Sequence, residues 1–274
     1  MRHCCPYMWD QCHTVVMSED ADTTASNAIP QGTQTLARGL QIVSAVAHGS
    51  TTLKSVVDAT GIGRSSAHRM IQLLVHMGYL RHGSPGEFRL GSTLIEFGFT
   101  ALNQDPLPVV ARESLDALAE RTQDTIHLSV EDGESVLYLH KIPGTRGAEM
   151  RSRIGHRMPM TRTGVGKALL LGQEDRWERM FTAENPGADA SAVEAFVKRM
   201  HGYTRDGASL DLEENEPGIR CVAAPVRDGS GDIVAGISLS ATRPYMPKER
   251  MQALVPVMKS AAREISVKLG YRQG

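Results

Sequence analysis

The sequence predicts an α+β protein with two domains, a small helical one and a larger one with a mostly antiparallel sheet. Apolar residues at helical spacing dominate positions 33–90, whereas positions beyond 106 mix helical stretches with strand pairs joined by tight turns. The chain has 274 residues, enough for two medium domains. We expect a disordered tail over 1–32, a first domain over 33–90, a linker helix over 91–105 and a second domain over 106–274.

The first domain begins with a predicted helix over 33–48, followed by two short helices and a hairpin within 52–90. Gly61 separates the short helices, Gly78 ends the second, and Ser84-Pro85-Gly86 forms the hairpin turn. Each helix has an apolar stripe: Leu36, Leu40, Val43 and Ala47; Leu53, Val56 and Val57; Ala67, Met70, Ile71 and Leu74. This order is typical of a winged helix-turn-helix, whose second motif helix enters the DNA major groove. Similar helices also occur in ordinary helical domains.

Charge favours nucleic acid as the partner of this first domain. Residues 33–90 hold six Lys or Arg against two acids, a net charge of +4, whereas the whole chain carries −1. The other residues therefore carry −5 together. A basic domain attached to an acidic body is what contact with phosphate requires.

The polar face of the second motif helix supplies the candidate base contacts. It carries hydrogen-bond donors and no acid: Arg64, Ser65, His68, Arg69 and Gln72. We expect Arg64, Arg69 and Gln72 to read bases, because Arg pairs well with guanine and Gln with adenine.

Further residues are candidates for phosphate contact, which positions a protein without specifying sequence. Arg81 and Arg89 lie in the wing, and Ser66 lies near the start of the motif helix. Arg38 lies near the start of the first helix, where a solvated surface charge is the alternative.

Composition argues for a cytoplasmic protein. No run of about 18 apolar residues is present, so we expect no membrane span. The N-terminus lacks the apolar core of a signal peptide. The four cysteines do not form a disulfide pattern expected in a chain of this length: Cys4, Cys5, Cys12 and Cys221.

The first 32 residues lack apolar periodicity and end in a polar stretch, which predicts disorder and leaves Met17 as an alternative initiator. Five residues in this tail are of metal-ligating type: His3, Cys4, Cys5, Cys12 and His13. Their spacing fits no standard zinc pattern, so we expect neither a metal nor another cofactor.

The second domain contains predicted helices over 109–121, 164–171, 174–181, 192–201 and 247–269, and predicted strands over 126–130, 136–142, 220–226 and 233–240. Alternation of apolar residues with His127 and Ser129 predicts that the first strand is half-buried. Five acids between 206 and 216 predict a solvated loop.

The strand 233–240 suggests where a ligand binds. Gly236, Ser238 and Ser240 share one face of it, and their hydroxyls suggest a small polar cavity, although a face open to water is the alternative. Cys221 on the neighbouring strand would border the same cavity. The backbone N–H groups at the start of the helix at 164 would favour an anion.

Catalytic motifs are missing from the sequence. It has no G-x-S-x-G, H-E-x-x-H, C-x-x-C or phosphate-binding P-loop pattern. Cys221 with His140 or His156 would form a nucleophilic pair only if the fold joined them. We therefore predict that the protein is not an enzyme, with a Cys221-dependent activity as the least favoured alternative.

Five segments together resemble the IclR-type bacterial transcriptional regulators, over about residues 33–270. They are Leu36-Ala37-Arg38-Gly39-Leu40; Ala59-Thr60-Gly61-Ile62 with Ser65-Ser66-Ala67-His68-Arg69; Thr163-Gly164-Val165-Gly166-Lys167-Ala168; the run from Glu213 to Val226; and Val234 to Ser240. The resemblance implies a winged helix-turn-helix, a linker helix and a GAF-like effector-binding domain. It also implies homodimers or homotetramers on palindromic double-stranded DNA operators, small organic-acid effectors and, more commonly, repression.

The family's effector pocket maps onto eight residues of this chain: the backbone N–H groups of Gly164 and Val165, the side chains of Asp211, Cys221, Ser238 and Ser240, and the apolar lining of Met150 and Met158. The family does not share the long tail, and Val165 is bulkier than the small residue of some members. The resulting hypothesis is a sequence-specific DNA-binding regulator controlled by an organic acid. An oligomeric sensor that acts through a protein partner is the alternative.

Overall fold

A computed structural model of the protein describes residues 30, 32–104, 106–147 and 150–272. The predicted tail lies outside these residues except for Pro30 and Gly32. The five tail residues of metal-ligating type therefore also lie outside: His3, Cys4, Cys5, Cys12 and His13. The described residues divide into two compact units between Phe97 and Gly98.

The first unit is a winged helix-turn-helix, as predicted. Its elements are α1 (Gln34–Ala47), α2 (Leu53–Thr60), α3 (Arg64–His76), β1 (Leu80–His82) and β2 (Phe88–Leu90), followed by α4 (Ser92–Gln104), within which the division falls. The strands β1 and β2 form the antiparallel wing.

Local sequence signals set the boundaries of α2 and α3. Thr52 caps α2 through a reciprocal pair of hydrogen bonds with Ser55, the capping-box arrangement. Gly61 then ends α2 with a φ of 66°, a conformation that costs glycine little. The chain can therefore turn directly into α3.

The core of the first unit corrects one prediction about α1. Ile42 and Val46 are buried in the core with Val56 and Ile71, whereas Leu36 and Leu40 are 66% and 56% exposed. The helix has apolar residues on more than one side, and packing against its neighbours selects the Ile42 side. Periodicity within α1 alone did not distinguish the two sides.

The second unit is built around one sheet. Its elements are α5 (Leu107–Thr122), β3 (Thr125–Asp132), β4 (Ser135–Ile142), β5 (Arg157–Pro159), α6 (Gly164–Leu169), α7 (Glu174–Glu184), α8 (Ala190–Asp206), β6 (Ser209–Leu212), β7 (Ile219–Arg227), β8 (Ile233–Thr242) and α9 (Lys248–Lys268). The six strands lie in the order β5-β4-β3-β8-β7-β6, and each neighbouring pair is antiparallel. The predicted α+β class is confirmed.

Helices cover both faces of this sheet. Residues of α5 and α9 such as Leu115 and Met258 pack with Ile237 on one face. Residues of α6, α7 and α8 pack on the other face, among them Val165, Trp177 and Phe196. The central strands are therefore buried on both sides.

This double coverage corrects the prediction that the first strand is half-buried. In β3, His127 is 3% exposed and Ser129 is 0% exposed. Ser238 and Ser240 on β8 are buried as well, so their face lies beneath α6 rather than against water. The alternating polar residues of β3 and β8 therefore form a buried polar surface, not one that faces water.

The strand β6 also differs from expectation, because residues 206–216 were predicted to be a solvated acidic loop. Ser209 and Asp211 on β6 point inward and are at most 2% exposed. Three acids do remain in the turn that follows, Glu213, Glu214 and Glu216. Within the described ranges, no helix combines the length and apolar composition of a bilayer span.

Candidate functional site

The surface of α3 presents the predicted base-reading residues. Five polar residues of this helix are exposed: Arg64, Ser65, His68, Arg69 and Gln72. Their side chains make no hydrogen bond or ion pair with any other described residue. Ser66 is half-buried beside the buried Ala67, so it lies at the edge of this surface. A groove of about 550 Å³ runs along it, lined by Leu53, Arg64, Ser65, His68 and Arg69.

The wing carries two exposed arginines directly opposite each other. Arg81 pairs with Arg89 across β1 and β2, and Arg81 Nε donates to the Leu90 carbonyl at 3.2 Å. Like charges in such a pair repel each other, and a neighbouring anion would relieve the repulsion. Arg38 is exposed on α1. These three positions remain available to phosphate.

Three predicted effector residues lie side by side in the second unit. The strand register places Cys221 opposite both Asp211 and Ser240, so the three side chains share one face of the sheet. Cys221 Sγ and Ser240 Oγ are 2.9 Å apart. Ser238 lies on the same face of β8, opposite Ala223 on one side and His127 on the other.

Glycines bring α6 close to these residues. A Cβ at Gly164 would lie 3.1 Å from Cys221 Cβ, and one at Gly236 would lie 2.8 Å from Val165 Cγ2. A Cβ at Gly166 would lie only 2.3 Å from the Met160 carbonyl oxygen. The first turn of α6 therefore rests directly on the sheet.

The start of α6 leaves two backbone donors unused. Thr163 caps the helix by accepting from Gly166 N at 3.0 Å. In the part of the chain that the structure describes, the N–H groups of Gly164 and Val165 have no acceptor. These are the two donors predicted to hold a carboxylate.

The two methionines predicted to line the pocket are both wholly or partly buried. Met158 on β5 pairs with Val136 and packs against the apolar cluster beneath α6. Met150 is buried, and its carbonyl oxygen accepts from Lys141 Nζ at 2.7 Å.

Burial raises the pKa values of two of these side chains, Asp211 and Cys221. It raises the pKa of Asp211 to about 6, an effect that the positive charge of Lys167 opposes. It raises the pKa of the Cys221 thiol to about 12, with a further contribution from Asp211. Cys221 is therefore a neutral thiol at physiological pH, unlike an activated nucleophile.

The hypothetical pair of Cys221 with a histidine does not form. His140 lies opposite Leu128 on the sheet face covered by α5, whereas Cys221 lies on the other face. His156 is exposed.

Sequence reasoning missed His127 as a member of this site. Its Nε2 lies 2.7 Å from Ser152 Oγ, its Nδ1 lies 3.5 Å from Ser238 Oγ, and its ring stacks on Tyr138 at 4.6 Å. Burial, followed by the nearby Lys141 charge, lowers the pKa of His127 to about 3. The ring is therefore neutral at physiological pH and combines one hydrogen-bond donor with one acceptor.

A register shift explains why these neighbours converge. The pairing of β3 with β4 shifts between Leu128 and Ser129, which leaves an extra residue in β4. Tyr138 and Lys141 are three positions apart, a spacing that in a regular strand places side chains on opposite faces. Because of the extra residue, both lie on the face of His127. The alternation of polar residues in β3 was visible in the sequence, but the bulge and the adjacency of β3 to β8 were not.

Comparisons with known proteins identify the family of this chain. The model of the IclR helix-turn-helix domain matches residues 35–84, and that of the bacterial transcriptional regulator IclR C-terminal domain matches residues 99–267. The chain belongs to the IclR family. It is therefore a DNA-binding transcriptional regulator and not an enzyme.

Individual relatives agree with this assignment. The HTH-type transcriptional regulator KdgR of Escherichia coli is 34% identical over 217 residues, which span 77% of this chain and 82% of KdgR. The DNA-binding transcriptional repressor YiaJ of the same organism is 28% identical, over 88% of this chain and 90% of YiaJ. An IclR homologue from Microbacterium hydrocarbonoxydans, solved with 4-hydroxybenzoate, shares the fold with a TM-score of 0.72 at 22% identity, over 86% of this chain and 98% of the homologue.

Proposed function

We propose that the protein binds a specific operator through α3 and that a small organic acid on the α6 face of the sheet controls this binding. The main observation is the convergence of Asp211, Cys221 and Ser240 from three neighbouring strands beneath the free N–H groups of α6. The backbone N–H groups of Gly164 and Val165 have no acceptor within the described ranges, and the carboxylate of a ligand would supply one. Repression relieved by the acid is the mode we favour, and one relative, YiaJ, is named a repressor.

The effector's carboxylate would accept from the backbone N–H groups of Gly164 and Val165. Ser238, Ser240 and Cys221 would bond its other oxygens, and Asp211 would accept from a ligand hydroxyl. Met150 and Met158 would line the apolar side. The relative solved with 4-hydroxybenzoate supports an acid that also carries a hydroxyl group.

The DNA contacts would divide between base reading and positioning. Arg64, Arg69 and Gln72 are exposed and unengaged within the described ranges, which supports base reading in the major groove, with Ser65 and His68 beside them. Phosphate contacts would come from Arg38, Ser66, Arg81 and Arg89. A homodimer or homotetramer of this chain would match a palindromic operator.

A small-molecule sensor that acts through a protein partner is the alternative function. The net charge of +4 on residues 33–90 and the free donors along α3 favour DNA over a protein surface. Control of operator binding further requires that the acid bind the operator-bound and free states with different affinities.

Fluorescence anisotropy on the upstream intergenic DNA of the protein's own gene tests the proposal, with random DNA as the control. Glyoxylate, gluconate and 4-hydroxybenzoate would serve as trial effectors. We expect one of them to release the wild-type protein. The double variant Ser238→Ala/Ser240→Ala should bind DNA normally but no longer respond.

The matched control is Ser260→Ala, which removes an exposed hydroxyl from α9 and should respond like the wild type. A double variant that is still released at wild-type acid concentrations would place the effector elsewhere. Equal affinity for upstream and random DNA would contradict specific operator binding.

A further inference from the structure

We infer a second ligand site in the effector domain, a groove between α7, α8 and the segment before α6 that takes a small organic anion. The groove has a volume of about 600 Å³ and is lined by Thr161, Arg162, Phe181, Glu184, Asn185, Pro186, Ala188, Ala192, Arg199 and Glu214. None of these belongs to the eight residues assigned to the effector above. The volume lies within the range of about 300–1,000 Å³ that small-molecule sites occupy.

The two carboxylates of the groove are already engaged by the protein. Glu184 accepts from the backbone N–H groups of Met160 and Thr161, at 2.7 and 2.9 Å, and from the Thr161 hydroxyl. Glu214 forms an ion pair with Lys167, which is completely buried. Neither carboxylate therefore neutralises the arginines of the groove fully.

The two arginines keep most of their donors free. Arg162 makes a single hydrogen bond with other described residues, from Nε to the Glu214 carbonyl at 3.2 Å. Arg199 reaches the Glu214 carboxylate only at 3.4 Å. Its Nε is buried and has no partner among the described residues. A guanidinium offers five donors, so both arginines have donors left for a carboxylate or phosphate.

The other lining residues of the groove indicate which chemical class of ligand fits. Four apolar residues also line the groove: Phe181, Pro186, Ala188 and Ala192. A carboxylate or phosphate monoester attached to an apolar body therefore fits better than an inorganic anion.

Glu214 connects this groove to the residues assigned to the effector. Its backbone N–H donates to Asp211 Oδ1 at 2.8 Å, and its carboxylate holds Lys167 of α6. An anion on Arg162 and Arg199 would compete for the contacts that hold Glu214. Occupation of the groove would thus alter the position of Asp211 and the start of α6, and the two sites would be coupled reciprocally.

Isothermal titration of the full chain with benzoate, phenyl phosphate and inorganic phosphate tests this site. We expect saturable binding that is tighter for the two aromatic anions than for inorganic phosphate. Arg162→Gln and Arg199→Gln should each weaken it about tenfold or more, the effect of losing a charge-assisted hydrogen bond. The control Arg205→Gln removes the same charge from an exposed position on α8 and should bind normally.

The variant Ser238→Ala/Ser240→Ala separates the two sites. Anion binding that survives in this variant but is weakened by the arginine variants supports the groove. Binding that is lost in the serine variant and kept by the arginine variants places the anion in the effector pocket and overturns the inference. No saturable binding to folded wild-type protein up to about 10 mM anion would also overturn it.

Discussion

Asp211 is the residue whose environment departs most from that of a surface acid. It lies inside the second unit next to Cys221, and burial raises its pKa to about 6 from an ordinary value of 3.8. Below about pH 4 the carboxyl is protonated in both the folded and the unfolded chain. As pH rises from about 4 to 6, the unfolded chain releases the proton first, so Asp211 makes folding progressively less favourable.

We therefore expect Asp211→Asn to remove a pH-dependent loss of stability. The loss corresponds to roughly 3 kcal/mol for a shift of this size and is complete above about pH 6. Urea denaturation of the wild type and the variant between pH 4 and 7.5 measures it. The free energies of unfolding should diverge across this window in favour of the variant, whereas Asp206→Asn at the end of α8 should follow the wild type. Parallel profiles for Asp211→Asn would contradict the shifted pKa.

At the scale of the elements, the packing of helix α6 depends on its glycines, which have no side chain. The Cβ of an alanine at position 166 would lie 2.3 Å from the Met160 carbonyl oxygen, a backbone atom that cannot rotate away. We expect Gly166→Ala to destabilise the second unit by about 1–3 kcal/mol, the usual cost of overpacking. It should also weaken the effector response, because α6 must shift away from the Met160 backbone and its N-terminal donors would move with it.

Gly39→Ala is the matched control for this substitution. Gly39 lies inside α1, where an added Cβ meets nothing within 4 Å. Alanine should stabilise that helix by about 0.5–1 kcal/mol. Calorimetry that resolves the two units would report both changes, and a Gly166→Ala protein as stable as the wild type would refute the close packing of α6.

The elements that the sequence predicted well are those with local signals. The turn at Gly61 and the wing turn at 84–86 both lie within a few residues of the structure that they specify. The contact of His127 with Ser238 joins residues 111 positions apart. It depends on β3 pairing with β8, which no local pattern specifies. The strand pattern indicated Ser238, Ser240 and Cys221, and the family resemblance added Asp211. Neither indicated His127 or Tyr138, whose convergence depends on a bulge in β4.

At the scale of the whole molecule, positive charge is in excess in the predicted DNA-binding segment. Residues 33–90 carry +4 in a chain of −1, so DNA attraction is concentrated in the first unit. Contacts to phosphate and to bases should then respond differently to mutation. Arg81 in the wing is a phosphate candidate, and Arg69 on α3 is a base candidate.

We expect Arg69→Ala to weaken operator binding by about 1–3 kcal/mol while affecting random DNA much less, because a base contact is lost. Arg81→Ala should weaken binding to both DNAs similarly and lower the slope of log affinity against log salt by about one, because one phosphate contact is lost. Anisotropy titrations across a salt series measure both effects, with Arg205→Ala in the second unit as a control for net charge. If Arg69→Ala loses affinity equally on random DNA, Arg69 contacts phosphate, and base reading passes to Arg64 and Gln72.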